Sequence, residues 1–142
     1  MILSEEQQTI LDTVKTGINV VVDAVAGTGK TTLILSIAKE LPDTQILQMT
    51  YNKSLKFEVR EKIENEKLEN LNVHTFHSLA VCYYSDKAHV DSEIRKIIVN
   101  NTKPSRPIPK IDMLVLDECR LCRLVYWTSA KSQSGYLLHL PL

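Results

Sequence analysis

Ala24-Val25-Ala26-Gly27-Thr28-Gly29-Lys30-Thr31 stands between an apolar run, Ile18 to Val22, and a segment with helical spacing. That order of strand, glycine-bearing loop and helix turns a short string into a phosphate-binding site. A polyphosphate carries more charge than side chains can surround closely. A loop whose backbone N–H groups point inward, backed by the positive end of a helix, suits it. In this reading Ala26, Gly27, Thr28 and Gly29 form the cradle, and Lys30, Thr31 and Thr32 open the helix. Lys30 brings a mobile positive charge to the outer phosphates, and the Thr31 hydroxyl is suited to ligate Mg2+. The strict pattern begins with glycine where this chain has Ala24. Gly27 and Gly29 remain where the backbone must approach the phosphates, so the loop reads as a working variant. The alternative is a glycine-rich turn that merely caps a helix.

Outward from the loop, Ser4-Glu5-Glu6-Gln7 has capping-box spacing, and Ile10, Leu11 and Val14 share one helical face, which predicts a helix to about Thr16, closed by Gly17. Ile18 to Asp23, with its β-branched run Val20-Val21-Val22, predicts a central strand buried on both faces. Leu33, Ile37 and Leu41 predict the next helix, stopped by Pro42. A strand over 45–50 is followed by a helix from Lys53 to about Glu69, with Leu55, Val59 and Ile63 inward and Glu58 paired with Lys62. A short strand at 72–74 leads into a helix opened by Thr75-Phe76-His77-Ser78. Ile94, Ile97 and Ile98 suggest a small amphipathic helix, and Pro104, Pro107 and Pro109 break the next stretch into a loop. Met113 to Asp117 reads as a further buried strand. Strands alternating with helices imply a parallel sheet in a three-layer α/β fold.

Asp117-Glu118 directly follows the apolar run Met113 to Leu116. Strand ends on one edge of such a sheet converge near the phosphate loop. Asp117 is placed to hold Mg2+, and Glu118 to orient or deprotonate an attacking water. The alternative is a solvated turn at a strand end.

The 142 residues suffice for one domain, and 24% charged and 44% hydrophobic residues are ordinary for a globular protein. The net charge of zero hides an asymmetry, since residues 119–142 contain no acidic side chain. No stretch approaches the roughly 20 apolar residues that span a bilayer, and no signal-peptide layout opens the chain. With Cys82, Cys119 and Cys122 lacking disulfide-framework spacing, an intracellular setting is expected. Cys119-Arg120-Leu121-Cys122 with His139 invites a metal reading, but one C-x-x-C lacks the second pair of a structural zinc site.

On these residues the chain resembles the N-terminal, RecA-like motor domain of UvrD/Rep-type superfamily 1 DNA helicases, a P-loop NTPase. Thr50-Tyr51-Asn52-Lys53-Ser54 and Thr75-Phe76-His77-Ser78-Leu79-Ala80 look closest to the F-box DNA helicase branch. Leu3 to Gln7 resembles the Q motif, which would give Gln7 the adenine edge, a role that competes with its place in the capping box. Ala24 to Thr32 corresponds to motif I, and Val115 to Glu118 to motif II. The resemblance implies ATP and Mg2+ as cofactors, Glu118 and Lys30 as catalytic residues, and Thr31 and Asp117 as metal ligands. It also implies a single-stranded nucleic-acid track, DNA in that family, lined by Tyr51, Asn52 and Lys53 of motif Ia and Thr75, Phe76 and His77 of motif Ib. Tyr51 and Phe76 are rings on which bases can stack whatever their identity. Read without the resemblance, Phe76 and His77 are core or capping residues and Lys53 is simply exposed.

The likeness covers residues 1–118 and stops. Arg120 and Leu121 stand where the family continues with Gln and Asp, and nothing in 120–142 resembles motif III. A frameshift or premature stop just after Glu118 is the expected origin of a divergent tail in which Tyr136 to Leu140 has no obvious place. The resemblance implies an ATP-dependent translocase. For the chain alone it leaves open a non-catalytic, nucleotide-binding remnant, with turnover slow because the family's phosphate-facing arginines have no counterpart here.

Overall fold

The computed structural model describes residues 2–22 and 29–117, together with the backbone of residues 136–140. Helix α1 (Glu5–Lys15) forms as its capping box predicts: Gln7 N–H donates to Ser4 Oγ at 3.2 Å, and Ser4 N–H to Gln7 Oε1 at 2.9 Å. It ends at Gly17, whose φ of 80° needs no Cβ penalty. After strand β1 (Val20–Val21) comes α2 (Lys30–Glu40), which stops before Pro42. Strands β2 (Ile46–Thr50) and β3 (Leu71–Thr75) flank α3 (Lys53–Asn65), and α4 (Phe76–Tyr83) and α5 (Asp91–Val99) precede β4 (Met113–Asp117). The proline segment before β4 has no regular structure, as expected. Helix α3 ends earlier than its charge pattern suggests, because Lys67 takes a left-handed φ of 53° and Leu68 N–H turns back to Ile63 O. Lys62 meets Glu58 at 2.6 Å as predicted.

All strand pairs are parallel, in the order β1-β5-β4-β2-β3, where β5 is Tyr136–Leu140. The fold is α/β, of the P-loop NTPase type. Every side chain of β2 is buried. On one sheet face Ile46, Leu71, Met113 and Val115 pack with Leu33, Ile34 and Ile37 of α2 and Leu11 and Val14 of α1. Each such side chain contributes roughly 1.5–3 kcal/mol when fully buried. Helix α2 is therefore held by packing, since Gly29 at its N-cap offers no side-chain cap. Buried Asn70 ties the α2–β2 connection to the sheet by donating to the carbonyls of Ala38, Leu41 and Thr44. Among the described residues no helix is long and apolar enough to cross a membrane.

Two expectations are corrected. The run at 18–23 is not a central strand buried on both faces: β1 lies at the sheet edge, paired only at Val20 and Val21, with Val21 69% exposed. Val20 and Val22 pack against the core while Val21 faces the opposite side, so the run is buried on one face only. Second, Tyr136 to Leu140 does have a place. Its backbone pairs with β1 at Val20↔Leu138 and with β4 at Val115↔Leu138, joining the loop-bearing strand to the carboxylate strand. Cys119, Cys122 and the tail residues Leu121, Leu124, Val125 and Trp127 lie outside the described residues.

Candidate functional site

In a parallel sheet the residues at the strand ends gather at the carboxyl edge. Thr50, Thr75 and Asp117 are the last residues of β2, β3 and β4, and they stand in register: Thr50 pairs with Asp117 on one side and with Thr75 on the other. Helix α2 starts at the same edge. Of the predicted phosphate and catalytic residues, Ala26, Gly27, Thr28 and Glu118 lie outside the described residues, as does Ala24.

Gly29 caps α2 with φ 81°, a left-handed conformation that disfavours side chains. There is also no room for one. A Cβ would come within 2.8 Å of Gln7 Nε2, which donates to Gly29 O at 3.3 Å. Gln7 thus works twice, closing the α1 capping box through Oε1 and holding the start of α2 through Nε2. Gly29 supplies no side-chain cap to the first-turn amides of α2, and the helix dipole favours an anion there. Lys30 and Thr31 are its first residues, partly buried, followed by Thr32, whose carbonyl accepts from Ser36 Oγ. Lys30 Nζ is shut off from solvent and has no hydrogen-bond partner among the described residues. An amine left in this position fits a polyphosphate.

Asp117 is 3% exposed, and Gln48 Nε2 donates to its Oδ2 at 3.4 Å. Among the described residues no group of three or more His, Cys, Asp or Glu could hold a metal ion. Mg2+ does not need one, since it keeps several waters and binds through one or two carboxylates plus phosphate oxygens. The buried carboxylate of Asp117 and the hydroxyl of Thr31 in the first turn of α2 are donors of the kinds that set uses.

The residues of the predicted strand track stand farther along the edge, past β2 and β3. Tyr51 is 55% exposed. Asn52 caps α3, its Oδ1 accepting from Ser54 N–H at 2.8 Å. Lys53 is exposed, with Nζ 6.0 Å from the Phe57 ring centre. Thr75 caps α4 by accepting from Ser78 N–H. Phe76 is partly buried, packing against apolar clusters on both sides, and His77 Nε2 meets Asp91 Oδ1 at 2.7 Å.

Gln48 and His74 escaped the sequence reading, and Thr50 entered it only as the first residue of the string that resembles motif Ia. Gln48 and Thr50 occupy a strand whose other members are apolar, and a glutamine inside Ile46-Leu47-Gln48-Met49 was the available signal. His74, on the opposite sheet face, contacts Ser78 Oγ at 3.2 Å. Burial first, then the nearby Arg60 and Lys56 charges, lower its pKa to about 4, so the ring is neutral near pH 7.

The UvrD/REP helicase N-terminal domain matches the chain over residues 3–112. No curated protein matches it. The matched span runs from the α1 capping box through α2 to the threshold of β4, and so takes in the start of α2 and the strands β2 and β3. With that span and this parallel order, the chain belongs to the UvrD/REP helicase N-terminal domain family.

Proposed function

We propose that this chain binds ATP with Mg2+ and acts as the N-terminal motor domain of a helicase that couples ATP hydrolysis to movement on single-stranded DNA. The observation that carries this reading is the buried Lys30 Nζ, without a partner among the described residues, at the start of α2 where Gly29 gives no side-chain cap. The cradle of Ala26 to Gly29 and the α2 amides, through Thr32, hold phosphate oxygens, and Lys30 meets the charge that builds on the γ-phosphate. Asp117 and Thr31 would hold Mg2+, which would supply positive charge to the polyphosphate. Glu118 accepts the proton of the attacking water as its oxygen bonds to phosphorus and the bond to the ADP oxygen breaks. Gln7 selects adenine by exchanging its bond to Gly29 O for one to the base edge.

Residues 1–118 form the motor domain in this reading. The strand track rests first on the Tyr51 ring and the Lys53 charge, with Phe76 adding the exposed part of its ring. Asn52, Thr75 and His77 flank it, each holding a helix end or ion pair in place. Titration with a fluorescent ATP analogue and with labelled oligothymidine tests the assignment. Both ligands are expected to bind the chain, with Asp117→Asn weakening only the Mg2+-supported nucleotide. Failure of the wild type to bind nucleotide would overturn it, and nucleotide binding with no response to oligothymidine would reassign the chain as a nucleotide-binding remnant.

A further inference from the structure

The sheet face under α1 and α2 is apolar at Ile46, Leu71, Val73, Met113 and Val115, and becomes polar only towards its carboxyl edge. The polar members are Gln48, Thr50, Thr75 and Asp117, all buried. Thr75 has local work, capping α4. Gln48 and Thr50 are different. Both are 0% exposed, and Gln48 Oε1 and Thr50 Oγ1 have no hydrogen-bond partner among the described residues. Buried polar atoms are nearly always paired in folded proteins, and an orphaned one calls for a cause such as a water or ion. Both belong to one seam: alternate residues of a strand share a face, and Thr50 pairs in register with Asp117 across strands about 4.8 Å apart. Gln48 already reaches Asp117 through Nε2.

We propose that Gln48 and Thr50 are positioning residues of the Mg2+–nucleotide site: Gln48 fixes the orientation of the Asp117 carboxylate, and the Thr50 hydroxyl binds a water of the Mg2+ shell. This rests on the nucleotide reading above. The chemistry suits the ion, which surrenders its waters reluctantly and is commonly held through them. A carboxylate held by an amide meets those waters in one orientation, as outer-shell partners do for metal ligands in general. The role also separates Thr50 from its neighbour Tyr51. The strand delivers Thr50 inward, onto the face it shares with Asp117, and Tyr51 outward, 55% exposed.

The test measures affinity for ADP and a non-hydrolysable ATP analogue with Mg2+ and in EDTA, for the wild type, Gln48→Met, Thr50→Val and Thr50→Ser, alongside thermal melting without ligand. Gln48→Met and Thr50→Val keep size and remove the polar atoms. Each should reduce the Mg2+-dependent gain in affinity by about tenfold, the scale of one hydrogen bond to a charged group. Affinity in EDTA should not change, and Thr50→Ser should restore the gain. Ligand-free melting should be unchanged or raised in Thr50→Val, where an orphaned hydroxyl gives way to a methyl, whereas Gln48→Met also takes the amide donor from Asp117 Oδ2 and is read by the Mg2+ dependence of nucleotide affinity. A purely structural role predicts the reverse, a lower melting temperature with nucleotide affinity lost equally in both buffers, and that result would overturn the proposal. So would variants whose Mg2+ response equals that of a nucleotide-binding wild type. A wild type that binds no nucleotide would remove the parent reading as well, so the two failures are distinguishable.

Discussion

Two regions at the sheet's carboxyl edge, the face under α1 and α2 and the helix starts that follow β2 and β3, treat their polar side chains in opposite ways. On that face and at the start of α2, Lys30 Nζ, Gln48 Oε1 and Thr50 Oγ1 are buried and lack partners among the described residues. At the helix starts Asn52 and Thr75 cap helices, Ser78 closes a capping box and His77 is paired with Asp91. Orphaned buried groups cost about 1–3 kcal/mol each, and in the proposed reading a compact ligand supplies the missing bonds. Satisfied groups at a surface need no ligand. They leave an exposed ring and a charge, which suit a long strand read by stacking and screened by salt.

The contrast can be broken most severely at Gly29. Gly29→Ala places a Cβ against Gln7 Nε2 in a backbone with φ 81°, a left-handed conformation that costs a non-glycine residue about 1–2 kcal/mol. Relief by moving the loop should lower affinity for Mg2+–ATP by more than about tenfold, while oligothymidine affinity in the same preparation holds. Equal affinity in calorimetry would show that this backbone does not matter to the phosphates.

In the other region the effects should be smaller and depend on salt. Tyr51→Ala removes a stacking face worth about 1–3 kcal/mol per base, and Lys53→Ala should reduce the slope of log affinity against log salt by about 0.7, the single-strand value per phosphate. Fluorescence anisotropy over a salt series measures both. Affinity that ignores Tyr51 and salt together would remove the track from this face.

How much of this was legible depended on whether the determining contacts were local. The α1 capping box, the stop at Pro42, the Glu58–Lys62 pair and the Thr75–Ser78 box lie within a few residues of sequence, and their geometry follows from spacing. Strand position does not. Val20-Val21-Val22 has the composition of a central strand, yet its neighbour β5 is a distant segment and no described strand pairs on its other side. Gln48 and Thr50 gain their meaning from pairing with β4, whose register no local pattern encodes. Asn52 and Thr75 illustrate the opposite difficulty, since one short polar side chain satisfies both a capping rule and a family motif. Burial of a neutral histidine at position 74 likewise depends on packing from α4 and charges from α3.

His74 supplies the smallest expected effect, a control on the face away from the nucleotide. Its folded pKa of about 4 lies below the ordinary 6.5, so the unfolded chain takes up the proton first as pH falls. Its stabilising contribution is complete above pH 6.5 and is lost progressively between 6.5 and about 4. His74 is only half buried, so solvent reduces the effect. Melting temperatures at pH 7 and pH 5 should differ by less in His74→Gln than in the wild type, by a few degrees at most (roughly 1 kcal/mol). An identical difference in both proteins would mean that other groups govern the acid response.

The central claim is that the buried Lys30 amine, without a partner among the described residues, takes a polyphosphate at the start of α2, and calorimetric titration of Mg2+–ATP into the wild type and Lys30→Ala tests it most directly. The account predicts saturable binding at one site per wild-type chain and at least about a hundredfold weaker binding in Lys30→Ala, the scale for removing a charged partner from a buried pair. Equal affinity in two folded proteins would contradict it.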